Sequence, residues 1–325
     1  MDASLPPPVP PAYKDRRAGL IVFGIFAIVI GAICALFVPL MIVGQMLTAR
    51  RLGTDVDMSA AVISAGVYAL LAVVMIWLGV GSILARRWAR ALLLCLGWIA
   101  LITGLIVMPA VWVVMNSIGD TLRAQGQTVT EGQLVFVKII MIATTFVIYI
   151  VIPGIAVLFY RSPHVKHTCE VRDPVERWTD HCPLPVLALV ILKVFGAVML
   201  LLILPIYGGA FPLAGYVISG GAARILWLIV VGFMVYAARG FYRLDRQAWF
   251  VYLVGATVLW TSSLVTFLRI GLVEYYRQSG LPEHQLELMA RSPLIQGHTF
   301  LWLSALGMGL FLGYMIYVRR FFTRS

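Results

Sequence analysis

None of the fourteen Asp and Glu residues of this 325-residue chain falls inside any of its eight long apolar stretches. Buried carboxylates mark proton relays, ion sites and intramembrane acid/base catalysis, so their absence removes the commonest signatures of those functions. Charge of either sign is scarce, at 12% of residues, while 61% are hydrophobic. Soluble domains carry about 25% charged residues, so most of this chain's surface has to face lipid. Cysteine is limited to four residues, of which Cys34 and Cys95 sit in apolar stretches as small hydrophobes and Cys169 and Cys182 share one polar loop. No Ser/His/Asp arrangement stands out and no glycine-rich phosphate loop follows a strand. A self-contained bis-histidine haem site would need histidines facing each other from two spans, and only His298 lies near an outer membrane boundary. No cofactor is expected, and an enzyme acting on lipid or quinone would rest on the loop histidines and cysteines alone.

A helix needs about 20 apolar residues to cross a hydrocarbon core of about 30 Å. Eight segments meet that length: 19–47, 59–84, 91–115, 135–160, 184–207, 222–238, 248–270 and 299–318. Continuous apolar runs lack the alternation of a barrel strand, so the expected fold is an all-α integral membrane protein with eight transmembrane helices. The expected division is a proline-rich disordered N-terminus (1–18), a first four-helix unit (19–160), a connector (161–182) and a second four-helix unit (183–325). Residues Leu5 to Pro11, followed by Lys14, Asp15, Arg16 and Arg17, lack the order of a cleavable signal peptide, so the first span is expected to be retained.

The formal charge of +11 is spread in short clusters between spans, which reads as topology signals and headgroup contacts rather than a nucleic-acid surface. Assigned to alternate sides, sixteen basic residues fall with the connector: Lys14, Arg16, Arg17, Arg86, Arg87, Arg90, Arg161, Lys166, Arg172, Arg177, Arg239, Arg243, Arg246, Arg319, Arg320 and Arg324. Six fall opposite: Arg50, Arg51, Arg123, Arg269, Arg277 and Arg291. The asymmetry predicts a multi-pass protein with both termini cytoplasmic.

The two halves echo each other. Arg86, Arg87 and Trp88 in one tight basic turn resemble Arg246, Gln247, Ala248 and Trp249 in another, and Gly31 with Pro39 resembles Gly196 with Pro205. Four spans per unit would make the copies parallel, related by an axis along the membrane normal. Tryptophan at interfaces and arginine in inner turns also occur without duplication.

The connector concentrates the polar chemistry, with His164, His167, Cys169, His181 and Cys182. A folded loop could present His167, Cys169, His181 and Cys182 to zinc, yet Cys169 stands alone and His181 and Cys182 are adjacent, an awkward bite for one tetrahedral ion. The alternating charges of Glu170, Arg172, Asp173, Glu176, Arg177 and Asp180, punctuated by Pro163, Pro174 and Pro183, read instead as an ordered segment lying against the helix ends. The run from Ser162 to Leu187, through Thr168-Cys169-Glu170, Arg172-Asp173-Pro174-Val175 and Cys182-Pro183-Leu184-Pro185, resembles a passage in uncharacterised bacterial polytopic inner-membrane proteins. That resemblance implies a bacterial inner-membrane location and no activity.

Lys193 lies well inside the fifth span, where an isolated ammonium costs on the order of 2.5–3.5 kcal/mol. Snorkelling of its stem toward the cytoplasmic face, donation to backbone carbonyls freed by Pro205 or another span's proline, and contact with an anionic ligand or a partner are the ways to offset that cost. Lys138 and Arg224 lie near span ends and read as interfacial anchors. Gly309 and Gly313 give the last span a small-residue spacing that permits close helix packing, within the monomer or between subunits. The outer segments 120–133 and 274–291 mix apolar and charged residues as surface-lying helices do.

Two functional classes follow. One is a non-catalytic membrane component, an accessory or scaffold subunit contacting lipid and other subunits or itself. The other is a carrier or channel for a small or lipid-like anionic molecule at the interface between the halves, lined by Lys193. The charge asymmetry makes a direct prediction: a fluorescent protein fused after Ser325 should be bright and alkaline phosphatase at the same position inactive. The reverse pattern would invert the topology.

Overall fold

The computed structural model describes residues 13–52, 58–124, 130–207, 209–281, 283–290 and 299–322. About 87% of it is helical, and eight helices are long and apolar enough to cross a membrane. They are α1 (Arg17–Leu52), α2 (Met58–Ile83), α3 (Arg87–Ala124), the pair α4 (Glu131–Phe146) and α5 (Ile152–Arg161) forming one rod, α7 (Leu184–Tyr207), α8 (Gly221–Tyr242), α9 (Arg246–Ile270) and α12 (Thr299–Val318). Between α5 and α7 lies α6 (Pro163–Arg172), and between α9 and α12 lie α10 (Leu272–Gln278) and α11 (Glu283–Ala290). The proline-rich start up to residue 12 and His298 lie outside the described residues. The first outer segment is continued helix: α3 runs on to Ala124 before the described chain stops.

Lipid tails are as apolar as the side chains, so helices gain by approaching closely enough for backbone packing. The α1/α2 pair does this through glycine. A Cβ added to Gly24 would lie 2.7 Å from the Gly79 carbonyl oxygen, one on Gly79 would lie 2.6 Å from the Gly24 carbonyl oxygen, and one on Gly31 would lie 3.0 Å from that of Ala72. Buried Ala27, Ala65 and Ala72 continue the same small-residue seam. At the connector end of this pair, Ser82 Oγ donates to the Leu20 carbonyl at 2.9 Å, leaving its lone pairs to accept from the Tyr160 hydroxyl at 2.8 Å. One buried hydroxyl thus joins α1, α2 and α5.

The turns α2–α3 and α8–α9 share a geometry. Ala85 (φ 52°) and Leu244 (φ 57°) both occupy the left-handed region. Arg86 N donates to Gly81 O at 2.9 Å and Asp245 N to Gly240 O at 2.9 Å, the six-to-one bond of a Schellman ending. Four residues before each left-handed residue sits a glycine whose Cβ would collide with the next helix, Gly81 against Trp88 and Ala89, Gly240 against Ala248. The start of α9 is capped locally by Asp245, which accepts from Gln247 N at 2.8 Å. Arg86 stands at the corresponding place before α3 and cannot cap, and the carboxylate comes from elsewhere, as described below.

Two departures from uniform helix have identifiable causes. Pro153 has no N–H to offer Tyr149, and the chain widens into a π-helical turn at Val147–Val151 just before it. The Tyr149 carbonyl then lies against α3, 2.7 Å from where a Cβ on Gly104 would be. The second departure was not expected from the sequence: α7 and α8 are joined by an antiparallel hairpin, β1 (Ala210–Leu213) and β2 (Tyr216–Ser219), with Leu213 opposite Tyr216. Its two-residue turn has positive φ at Ala214 (46°) and Gly215 (92°), the twist that a tight hairpin prefers. Ala214 N donates to Ser262 Oγ at 2.8 Å and Gly215 N to Thr266 Oγ1 at 2.9 Å, so α9 satisfies the backbone at the tip.

Two buried clusters form. One gathers Leu20, Ala85, Leu94, Val157, Tyr160, Val165 and Cys169 of the first half and connector. The other gathers residues of α7, α8, α9 and α12 with Ala91 and Cys95 of α3, which therefore bridges the halves. Gly24→Leu or Gly79→Leu should force α1 and α2 apart, lowering stability by about 1–3 kcal/mol. Thermal unfolding in detergent measures this, and an unchanged midpoint would show that the seam is not tight.

Candidate functional site

The connector is an ordered clasp. Tyr13 stacks on the His167 ring at 4.3 Å between centroids and meets His164 edge-on at 5.9 Å. Lys14 N donates to His164 Nδ1 at 3.4 Å, Arg16 N to Thr168 Oγ1 at 3.1 Å, and Asp15 pairs with Arg172 at 3.2 Å. The two histidines, three residues apart on α6, therefore form a bed for the segment entering α1. Asp173 ends α6 with a side chain only 2% exposed. It receives Arg177 through Nε at 3.1 Å and Nη2 at 2.6 Å, Arg86 Nη1 at 3.4 Å, and the backbone N–H of Arg87 at 3.3 Å. Asp173 is the missing N-terminal cap of α3, supplied across the fold. Asp180 adds a longer pairing with Arg87 at 3.7 Å.

The hydrogen bond from Arg177, with the Arg87 N–H and the charges of Arg177 and Arg86, holds the Asp173 carboxyl below its ordinary range. Burial pushes the thiols the other way, Cys169 to about 11 and Cys182 to about 12. Neither thiol is a thiolate near neutral pH, so neither is poised as a nucleophile. Cys169 packs into the first-half cluster and Cys182 into the second. Among the described residues no three His, Cys, Asp or Glu side chains come together to hold a metal ion, and the set His167, Cys169, His181 and Cys182 is not assembled.

Lys193 turns into the second half. Its Nζ lies 4.7 Å from the centre of the Tyr252 ring, a cation–π contact in a low-dielectric setting. Tyr252 is itself boxed by Phe233, Phe241 and Phe311. Beyond Tyr252 opens a cavity of about 440 Å³ between α8, α9, α12 and the hairpin, walled by Phe211, Trp227, Trp260 and Phe300. A second, of about 590 Å³, continues from it under α10 and shares Pro212, Trp227, Ser263 and Phe267. The hairpin is the roof: the Ala210 carbonyl accepts from Trp227 Nε1 at 3.0 Å and from the Tyr275 hydroxyl at 3.1 Å, and Arg269 stacks on Tyr216 at 4.8 Å. Among the described residues the chamber is lined by aromatic rings and hydroxyls with no carboxylate or histidine, a setting that can hold an apolar or flat group.

The small-residue pair of α12 faces away from the other described residues. A Cβ on Gly309 or Gly313 would meet no atom within 4 Å, whereas one on Gly307 would lie 3.1 Å from the Trp260 ring. The described packing of α12 on α9 thus uses Gly307, the Trp260 Nε1 bond to Ser304 Oγ at 3.0 Å and the Trp249 Nε1 bond to the Met315 carbonyl at 3.1 Å. Arg224 is exposed at the start of α8, and Lys138 is half-buried on α4. Sequence reasoning did not single out Asp173 from its charged neighbours, since the N–H it caps lies 86 positions away. The hairpin's signal, Ala214-Gly215 between apolar triplets, was present but short.

No family model, no curated protein and no solved structure matches the chain.

Because the folded Asp173 carboxyl titrates lower than in the unfolded chain, its contribution is complete above the unfolded value near 3.9 and is lost as pH falls through the folded one. Asp173→Asn should cost about 1.5–3 kcal/mol at neutral pH and flatten the acid limb of the stability profile. Thermal scans from pH 3 to 7 test this, and parallel wild-type and variant curves would refute the clasp.

Proposed function

We propose that this chain is a non-catalytic integral component of a bacterial inner-membrane assembly, an accessory or scaffold subunit that docks other membrane helices or a second copy of itself. The observation that carries this reading is the outward face of α12, where Gly309 and Gly313 leave open backbone and Trp302 is 75% exposed. Close helix approach in lipid uses such faces, and within this chain the glycines of α1 and α2 are already used in that way. The connector supports the same reading, since His164, His167, Cys169, Cys182 and the Asp173 carboxylate are engaged as struts. The carrier alternative draws less support: Lys193 lies over Tyr252 within the second half and does not line a groove between the halves.

The cytoplasmic placement of both termini is supported by the sixteen-to-six asymmetry of basic residues. The arrangement as two parallel four-helix units is supported by the matching turns at Gly81–Arg86 and Gly240–Asp245.

Extraction in mild detergent or in native nanodiscs should give a species heavier than the 35.9 kDa chain. Gly309→Leu with Gly313→Leu should reduce that species about tenfold while shifting the unfolding midpoint little, because a Cβ at either position meets no described atom within 4 Å. A wild-type protein that is uniformly monomeric at native abundance would overturn the proposal.

A further inference from the structure

A groove of about 590 Å³ runs between the two halves at the connector end, bounded by α3, the end of α5, the start of α7 and the end of α12. Its composition changes with depth. Leu94, Trp98 and Ile102 lie four residues apart on one face of α3, so they form an apolar wall about 12 Å long. Leu184, Pro185 and Ala188 of the first turns of α7 form the facing wall. Arg161, the last residue of α5, stands at the mouth, and Tyr317 lies beside it in the last turn of α12. The Tyr314 hydroxyl is occupied by the Pro185 carbonyl at 2.8 Å. The Tyr317 ring is 47% exposed and carries the Arg320 guanidinium 4.3 Å from its centre. Arg161 is exposed, and no carboxylate among the described residues pairs with it.

This layout matches one kind of molecule. The apolar depth is close to the hydrocarbon thickness of a single leaflet, about 15 Å, half of a core of about 30 Å. The groove's polar lining is one guanidinium, Arg161, and the Tyr317 phenol, on whose ring Arg320 stacks from outside the groove, and no carboxylate among the described residues lines it. Basic pockets between transmembrane helices on the basic side recognise anionic lipid headgroups by this chemistry. We propose that the groove is a binding site for an anionic glycerophospholipid, with Arg161 and the Tyr317 hydroxyl holding the phosphate and one acyl chain lying along Leu94, Trp98 and Ile102. The lipid would bridge α3, α5, α7 and α12, the elements through which the halves meet, whatever assembly the chain serves.

The probes are phosphatidylglycerol and phosphatidylcholine with matched palmitoyl and oleoyl chains, added to delipidated full-length protein and counted by native mass spectrometry. The expected result is preferential retention of phosphatidylglycerol, reduced about fivefold or more by Arg161→Gln, largely kept by Arg161→Lys and unaffected by Arg224→Gln at the far end of α8. Glycerol 3-phosphate at millimolar concentration should not displace the lipid, since it lacks the chain; displacement would mark a free-phosphate site and overturn the proposal. Equal retention of both lipids, or equal loss in the Arg161 and Arg224 variants, would also overturn it. Photoreactive groups in the acyl chain of phosphatidylglycerol, used on the unmodified protein, should label α3 between residues 94 and 102. Labelling confined to other helices would reject the groove independently of any variant's folding.

Discussion

Hydrocarbon offers no hydrogen-bond partners, and each backbone N–H or C=O left unpaired in it costs several kcal/mol. That constraint accounts for features that look unrelated. It selects helices for all eight spans. It explains why the hairpin between α7 and α8 is tied down at its tip, where Ser262 and Thr266 accept the N–H groups of Ala214 and Gly215. It explains why the irregular turn before Pro153 is pressed against Gly104 of α3, within protein. It also directs charge outward, so that the buried carboxylate nearest the spans, Asp173, sits among arginines at their aqueous end.

The connector end is where the two halves are organised. In the second half, the helix after the tight turn is capped by its own Asp245; in the first, Arg86 holds that position and the connector returns Asp173 to do the same work across the fold. The same stretch beds the entry to α1 through Tyr13 on His167 and contributes Val165 and Cys169 to the first cluster and Cys182 to the second. A segment rich in metal-ligand residue types is thereby built as a mechanical part. Its reactive groups are quenched by burial, which raises the thiols, or by ion pairing, which lowers the carboxyl.

Within the spans, polar chemistry is sparse and local. Lys193 is accommodated by an aromatic ring instead of a counter-ion, and the adjoining chamber is lined by rings and hydroxyls. What the surface offers is recognition: open glycines on α12, and a groove between the halves that is apolar in depth and cationic at its mouth. Both suit contacts made within a membrane, with helices or with lipid.

The span count, their limits to within a few residues, and the ordered connector were all legible in the sequence, because apolar length and charge placement are properties of consecutive residues. The small-residue spacing of Gly309 and Gly313 was equally visible, but which way that face points depends on how α12 rotates against α9, and Gly307 with Trp260 decides it. The same is true of Lys193, whose ring partner comes from a different span. The hairpin needed hydroxyls on α9 to satisfy its tip, and the cap of α3 needed a carboxylate from beyond α3 itself and one further span. The sequence by itself determined where the chain meets lipid and where it meets water, since transfer free energy adds up residue by residue. Only the tertiary structure decided which polar groups find partners and which faces stay open, since pairing depends on distances between segments that no local pattern encodes.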